Sequence, residues 1–137
     1  MNGKRYFIDK KFSDYKKEVI KQAKLIKGDT PLLKGGLSAS IIFYMEMPMS
    51  WPTWKYTVAM YEPEAIAHTV KPDLDNLAKG ILDALNEVVY KDDNQITDMC
   101  VLKRWESADH QPGVRIVIQE NGIEPCQSMK RIKNEKK

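Results

Sequence analysis

Pro72-Asp73-Leu74-Asp75-Asn76-Leu77-Ala78-Lys79-Gly80-Ile81-Leu82-Asp83-Ala84-Leu85 is the stretch that decides how this chain folds. Leu74, Leu77, Ala78, Ile81, Leu82, Leu85 and, one turn on, Val88 recur at helical spacing, the stripe of an amphipathic helix lying against a sheet. Asp73 is placed as its N-cap, and Pro72 discourages any earlier start. Asp75 and Lys79 then fall one turn apart on one edge of the helix, bordering the buried stripe. A polar turn over 90–95 carries a second acidic pair, Asp92-Asp93.

Outward from this helix, the chain alternates. Leu37, Ala39, Ile41, Phe43, Met45 and Met47 interleave with Ser38, Ser40, Tyr44 and Glu46, a strand ended by Pro48. Residues 96–105 and 114–119 read as two further strands, with 109–113 as their hairpin loop. Tyr6-Phe7-Ile8 suggests a short edge strand. Ser13 then caps a helix marked by Tyr15, Val19, Ala23 and Ile26, and Gly28 stops it. Residues 48–72 form a long connection, in which 53–61 could be a short helix between Pro52 and Pro63. Its aromatics, Trp51, Trp54, Tyr56 and Tyr61, suit core packing better than a surface for stacked bases. The expected fold class is α+β: a small mixed or antiparallel sheet with helices packed on it, in a single domain over 1–124. Residues 125–137 read as a basic, mobile C-terminal tail.

A chain of 137 residues can bury a core without disulfide or metal staples. No apolar run approaches the roughly 18–20 residues of a membrane span, and Met1-Asn2-Gly3-Lys4-Arg5 leads into charged sequence and not a signal peptide. Cys100 and Cys126 lack disulfide or zinc spacing, which suits a reducing, cytoplasmic setting. The net charge of +3 hides a pattern: residues 1–34 and 125–137 are basic, whereas 35–124 hold seven Lys/Arg against fourteen Asp/Glu. Charge alone favours a solvated surface, but an acidic centre between basic ends also suits a metal site that holds a polyanion.

Singly, each acidic motif has a bland explanation. Asp73 could be a helix cap, Asp75 with Lys79 an ordinary i, i+4 pair, and Asp92-Asp93-Asn94 turn chemistry. Jointly they point to a cation, because clustered carboxylates repel unless something neutralises them. If the chain after the turn runs back along the helix, Asp93 is expected to approach Asp73 and Asp75. Three such acids would hold Mg²⁺, with Mn²⁺ equally acceptable to oxygen ligands, and leave positions open for phosphate. Lys79 would place a point charge beside that phosphate or orient the attacking water. An EF-hand is excluded, since Leu77 stands where an oxygen ligand is required and no Gly follows at the sixth position. A nucleotide-sugar transferase is disfavoured by the short chain and the absence of a Gly-rich phosphate loop.

The run from Ser50-Trp51, through His68-Thr69-Val70-Lys71-Pro72-Asp73-Leu74-Asp75-Asn76-Leu77 and Leu82-Asp83-Ala84-Leu85-Asn86, to Tyr90-Lys91-Asp92-Asp93-Asn94-Gln95-Ile96 resembles the RusA family. That family comprises Holliday-junction resolvases and related endonucleases common in phages and prophages. The resemblance is densest over 68–105. It implies a Mg²⁺-dependent homodimer of α+β fold that makes paired nicks in opposing strands of a four-way DNA junction. It also implies that Asp73 and Asp75 are metal ligands, that Lys79 is the catalytic lysine, and that Asp93, with Asp92 as fallback, is the third essential aspartate. Many relatives carry a Pro-Arg-rich strand before the first helix, and many have Gly in the turn after LDALN where this chain has Glu87. His68, near the motif, could touch the substrate, but a plain loop histidine is the better reading. Lys10, Lys11, Lys16, Lys17, Lys21, Lys24 and Lys71, with Lys130, Arg131 and Lys133, are candidates to neutralise DNA phosphates. The alternative function is a catalytically silent remnant that grips branched DNA; intact Asp73, Asp75, Lys79 and Asp93 argue against it.

Overall fold

Seven elements follow one another in the computed structural model, which describes residues 4–8, as backbone, and 15–121. They are β1 (Lys4–Ile8), α1 (Tyr15–Lys27), β2 (Leu37–Met45), α2 (Thr53–Tyr61), α3 (Leu74–Ala84), β3 (Ile96–Trp105) and β4 (Gly113–Glu120). The strands form one mixed sheet in the order β1-β4-β2-β3. β1 and β2 each run antiparallel to β4, and β2 runs parallel to β3. The α+β class expected from the sequence is what the chain adopts. Ser13, Lys10, Lys11, Lys130, Arg131, Lys133 and Cys126 lie outside the described residues.

Period-two burial makes the sheet one-sided. Leu37, Ala39, Ile41 and Phe43 of β2 and Val114, Ile116 and Ile118 of β4 are buried, while Ser40 between them is exposed. Helix α1 covers this inner face with Val19 and Ala23, and α3 with Leu77 and Ile81, continued by Leu85. A second, smaller cluster joins Met47, Ala59 of α2 and Trp105 at the end of β3. There the Met47 amide donates to Glu106 Oε2 at 2.7 Å, so the apolar alternation runs past the end of β2 without any strand to carry it.

Three expectations are corrected. β3 and β4 do not form a hairpin; β2 lies between them, and residues 106–112 cross its end, with the Glu106 amide donating to Met45 O. The parallel β2–β3 pair needs a long crossover, and the connection through α2 and α3 supplies it. Helix α3 stops at Ala84, although Leu85 and Val89 stay buried, because those side chains still face the core from a turn. In that turn Glu87 adopts φ 65°, the left-handed conformation that favours glycine. Finally, of the aromatics in the long connection only Trp51 packs inward, edge-on to Trp105, whereas Trp54, Tyr56 and Tyr61 are exposed.

Candidate active site

Helix α3 presents its acids at two ends. Asp73 occupies the N-cap with extended backbone angles, and Asp73 O accepts the Leu77 amide at 3.1 Å. Its side chain, however, makes no capping hydrogen bond. Capping is therefore not what the Asp73 carboxylate does. Asp75 lies in the first turn, where the helix dipole favours negative charge, and Lys79 follows one turn later; all three residues are exposed. Asp75 and Lys79 do not form an ion pair, so the i, i+4 explanation fails as well.

Asp92 and Asp93 are held by a different device. Asp92 Oδ1 accepts the Asn94 amide, and Gln95 Oε1 accepts the amides of Lys91 and Asp92 at 3.0 and 3.1 Å, a capping box for a single 3-10 turn. Gln95 Nε2 also donates to Leu33 O and Gly35 O, which pins this turn to the loop before β2. Asp92 is thus engaged in the turn. The half-buried Asp93 faces Asp83 and Asp92, and its carboxyl is held above the ordinary value, by desolvation first and then by contacts with these two acids. Beneath them the buried Tyr90 hydroxyl donates to Leu82 O at 2.8 Å. Burial, and then the negative charges of Asp93, Asp83 and Asp92, push its pKa well up.

The two acidic groups do not meet within one chain. Asp93 contacts Asp83, and Asp83 lies ten residues beyond Asp73, about 15 Å along a helix axis. A second ruler agrees: Asp93 precedes the first residue of β3, and Lys103, seven residues further, is what reaches the segment before Asp73, roughly 23 Å along a strand. The returning strand passes the helix entrance only near its own end. Among the described residues, no group of three or more His, Cys, Asp or Glu is arranged to hold a metal ion. The exposed pair Asp73 and Asp75 nonetheless has the chemistry Mg²⁺ uses, one or two carboxylates with waters and phosphate oxygens filling the remaining positions.

Lysines are exposed just before α3 and on the helix packed beside it. Lys71 is exposed two residues before Asp73. Helix α1, packed beside α3, exposes Lys16, Lys17, Lys21 and Lys24, none of them in an ion pair among the described residues. His68 is not a loop histidine in water: it is buried, its ring lies 4.1 Å from that of Trp105, and its Nδ1 has no hydrogen-bond partner. Desolvation, and then the Lys103 ammonium, hold its pKa below 6.5. Sequence reasoning passed over Asp83, Tyr90 and Lys103; the i+8 spacing of Asp83 from Asp75 was the one visible signal among them.

Comparison to known proteins places the chain in a family. YqaN, an uncharacterized protein of Bacillus subtilis (strain 168), is 33% identical over 119 residues, which is 87% of this chain and 82% of its own length. The model of the family described as endodeoxyribonuclease RusA matches residues 1–119, so the chain belongs to the RusA endodeoxyribonuclease family.

Proposed function

We propose that this protein is a Mg²⁺-dependent, structure-selective endodeoxyribonuclease that resolves four-way junctions by paired nicks, working as a homodimer on DNA in the cytoplasm. Family membership supports the DNA-cleaving class. The observation that carries the mechanism is the Asp73 carboxylate, which sits at a helix cap and yet makes no capping bond. Asp73 and Asp75 would hold the cation. Bound there, Mg²⁺ supplies an acidified water and neutralises charge on the scissile phosphate. Lys79, one turn deeper, would set a fixed positive charge against the same phosphate, with no carboxylate paired to it among the described residues. Lys71 and the lysines of α1 grip flanking phosphates without reading sequence.

Asp93 enters this site from the second subunit. A two-fold axis that sets α3 antiparallel to its copy brings the exit of one helix to the entrance of the other. Asp93 of the partner subunit then joins Asp73 and Asp75, and the dimer carries two equal sites, one for each nick. The edge formed by Asp75, Lys79 and Asp83 is exposed along the whole helix, which leaves it accessible for such a meeting. Asp93 is the third carboxylate and not Asp92, because Asp92 is committed to the capping box.

The test is incision of a labelled four-way junction with a mobile core, comparing Mg²⁺, Mn²⁺, Ca²⁺ and chelator. Paired nicks in Mg²⁺ and none with chelator are expected. Tight, salt-sensitive junction binding without incision in any metal would instead favour the silent DNA-binding remnant.

A further inference from the structure

Lys103 lies on edge strand β3, opposite Phe43, and so on the face of the sheet that the helices cover. Its ammonium donates to Val70 O at 2.7 Å and to Pro72 O at 2.8 Å. These carbonyls bracket Lys71, and the second belongs to the residue directly before Asp73. Two residues along the same face, Trp105 donates through Nε1 to Ala67 O at 3.3 Å and packs against the His68 ring. One strand thus holds the segment 67–72 at both ends. We infer that Lys103 is a positioning residue for the metal centre: it fixes the peptide planes that lead into α3, and through them the direction of the Asp73 carboxylate. This inference rests on the reading of Asp73 and Asp75 as metal ligands.

Chemistry explains why a lysine stands here. An ammonium offers three donors from one atom, so it can hold two carbonyls that diverge from each other; a methionine of similar length holds none. The Val70 bond is exposed and the Pro72 bond only part-buried, so water can replace much of what is lost and the fold is expected to survive removal of Lys103. Ligand direction does not survive it. Groups that orient a metal ligand without touching the metal affect its affinity by on the order of 10–100-fold.

The experiment compares wild type, Lys103→Met, Lys103→Arg and Asp73→Asn as full-length protein. It measures Mn²⁺ binding from the spin-resonance signal of free Mn²⁺, and amide hydrogen exchange over 70–77. Lys103→Met is expected to keep its cooperative unfolding, lose Mn²⁺ affinity by on the order of tenfold or more, and exchange faster at Leu77. Lys103→Arg, which restores donors, should recover part of both. Wild-type Mn²⁺ affinity in Lys103→Met overturns the inference. Unchanged affinity in Asp73→Asn overturns the metal-centre reading beneath it, a separate result. Should Lys103→Met fail to fold, Lys103→Ala, which likewise offers no donor, is read in the same way.

Discussion

Asp93 stands against Asp83 at the exit of α3, a full helix length from Asp73 at the entrance. Within one protomer this separation leaves Asp73 and Asp75 as a pair. In the proposed symmetric dimer the same separation would give two complete sites, since what is missing at one end of the helix is surplus at the other. In that proposed arrangement the spacing of the acids along α3 would also set the distance between the two centres.

Mixed dimers test that arrangement. Asp73→Asn and Asp93→Asn homodimers should each bind junctions and leave them uncut. In a heterodimer of the two, shared sites would place both lesions in one centre and leave the other intact. Nicking of a single strand, without paired resolution, is the expected product on a denaturing gel. Sites built within single chains would leave the heterodimer inactive.

Repulsion at the exit of α3 makes Asp93 costly to the metal-free fold. Its carboxyl lies against Asp83 and Asp92 and is partly desolvated. Asp93→Asn removes one like charge and keeps the shape, so the midpoint of thermal unfolding at neutral pH without metal should rise, while incision is abolished. Calorimetry in chelator checks the first outcome, and a lower midpoint would contradict the electrostatic account.

Glu87 occupies a left-handed backbone position at φ 65°. A side chain there costs about 1–2 kcal/mol, and glycine gives back part of the relief through its freer unfolded state. Glu87→Gly is expected to stabilise the protein by roughly 1 kcal/mol in urea unfolding, with the slope of the transition unchanged.

His68 ties stability to pH. Its folded-state pKa lies below 6.5, so between that value and 6.5 the unfolded chain binds a proton that the folded chain refuses. Stability from this residue is complete above pH 6.5 and declines as pH falls through it. His68→Phe keeps an aromatic ring against Trp105 and should flatten this part of the pH–stability curve. An identical curve for the variant would show that other groups carry the dependence.

Much of this protein is legible from local pattern. The bounds of β3 and α2 follow from their punctuating residues, the start of β2 from its alternation, and the start of α3 from Pro72 and Asp73. The sides of β2 and α3 that meet the core follow from the same periods, because side-chain direction is fixed by backbone geometry within a few residues. The clustering of DLDNLxK with a later DD likewise identified the candidate chemistry.

Tertiary structure decided what depends on distant chain segments meeting. The insertion of β2 between β3 and β4 arises because a parallel partner for β2 must arrive by a long crossover, and no local signal encodes that choice. The neighbours of Asp93 follow from it. A chain leaving the end of a helix begins its return at that end, so Asp83 meets Asp93, and Lys103, not an acid, reaches the entrance beside Asp73. Sequence alone named the ionisable groups of this protein; the path of the sheet determined which of them stand together.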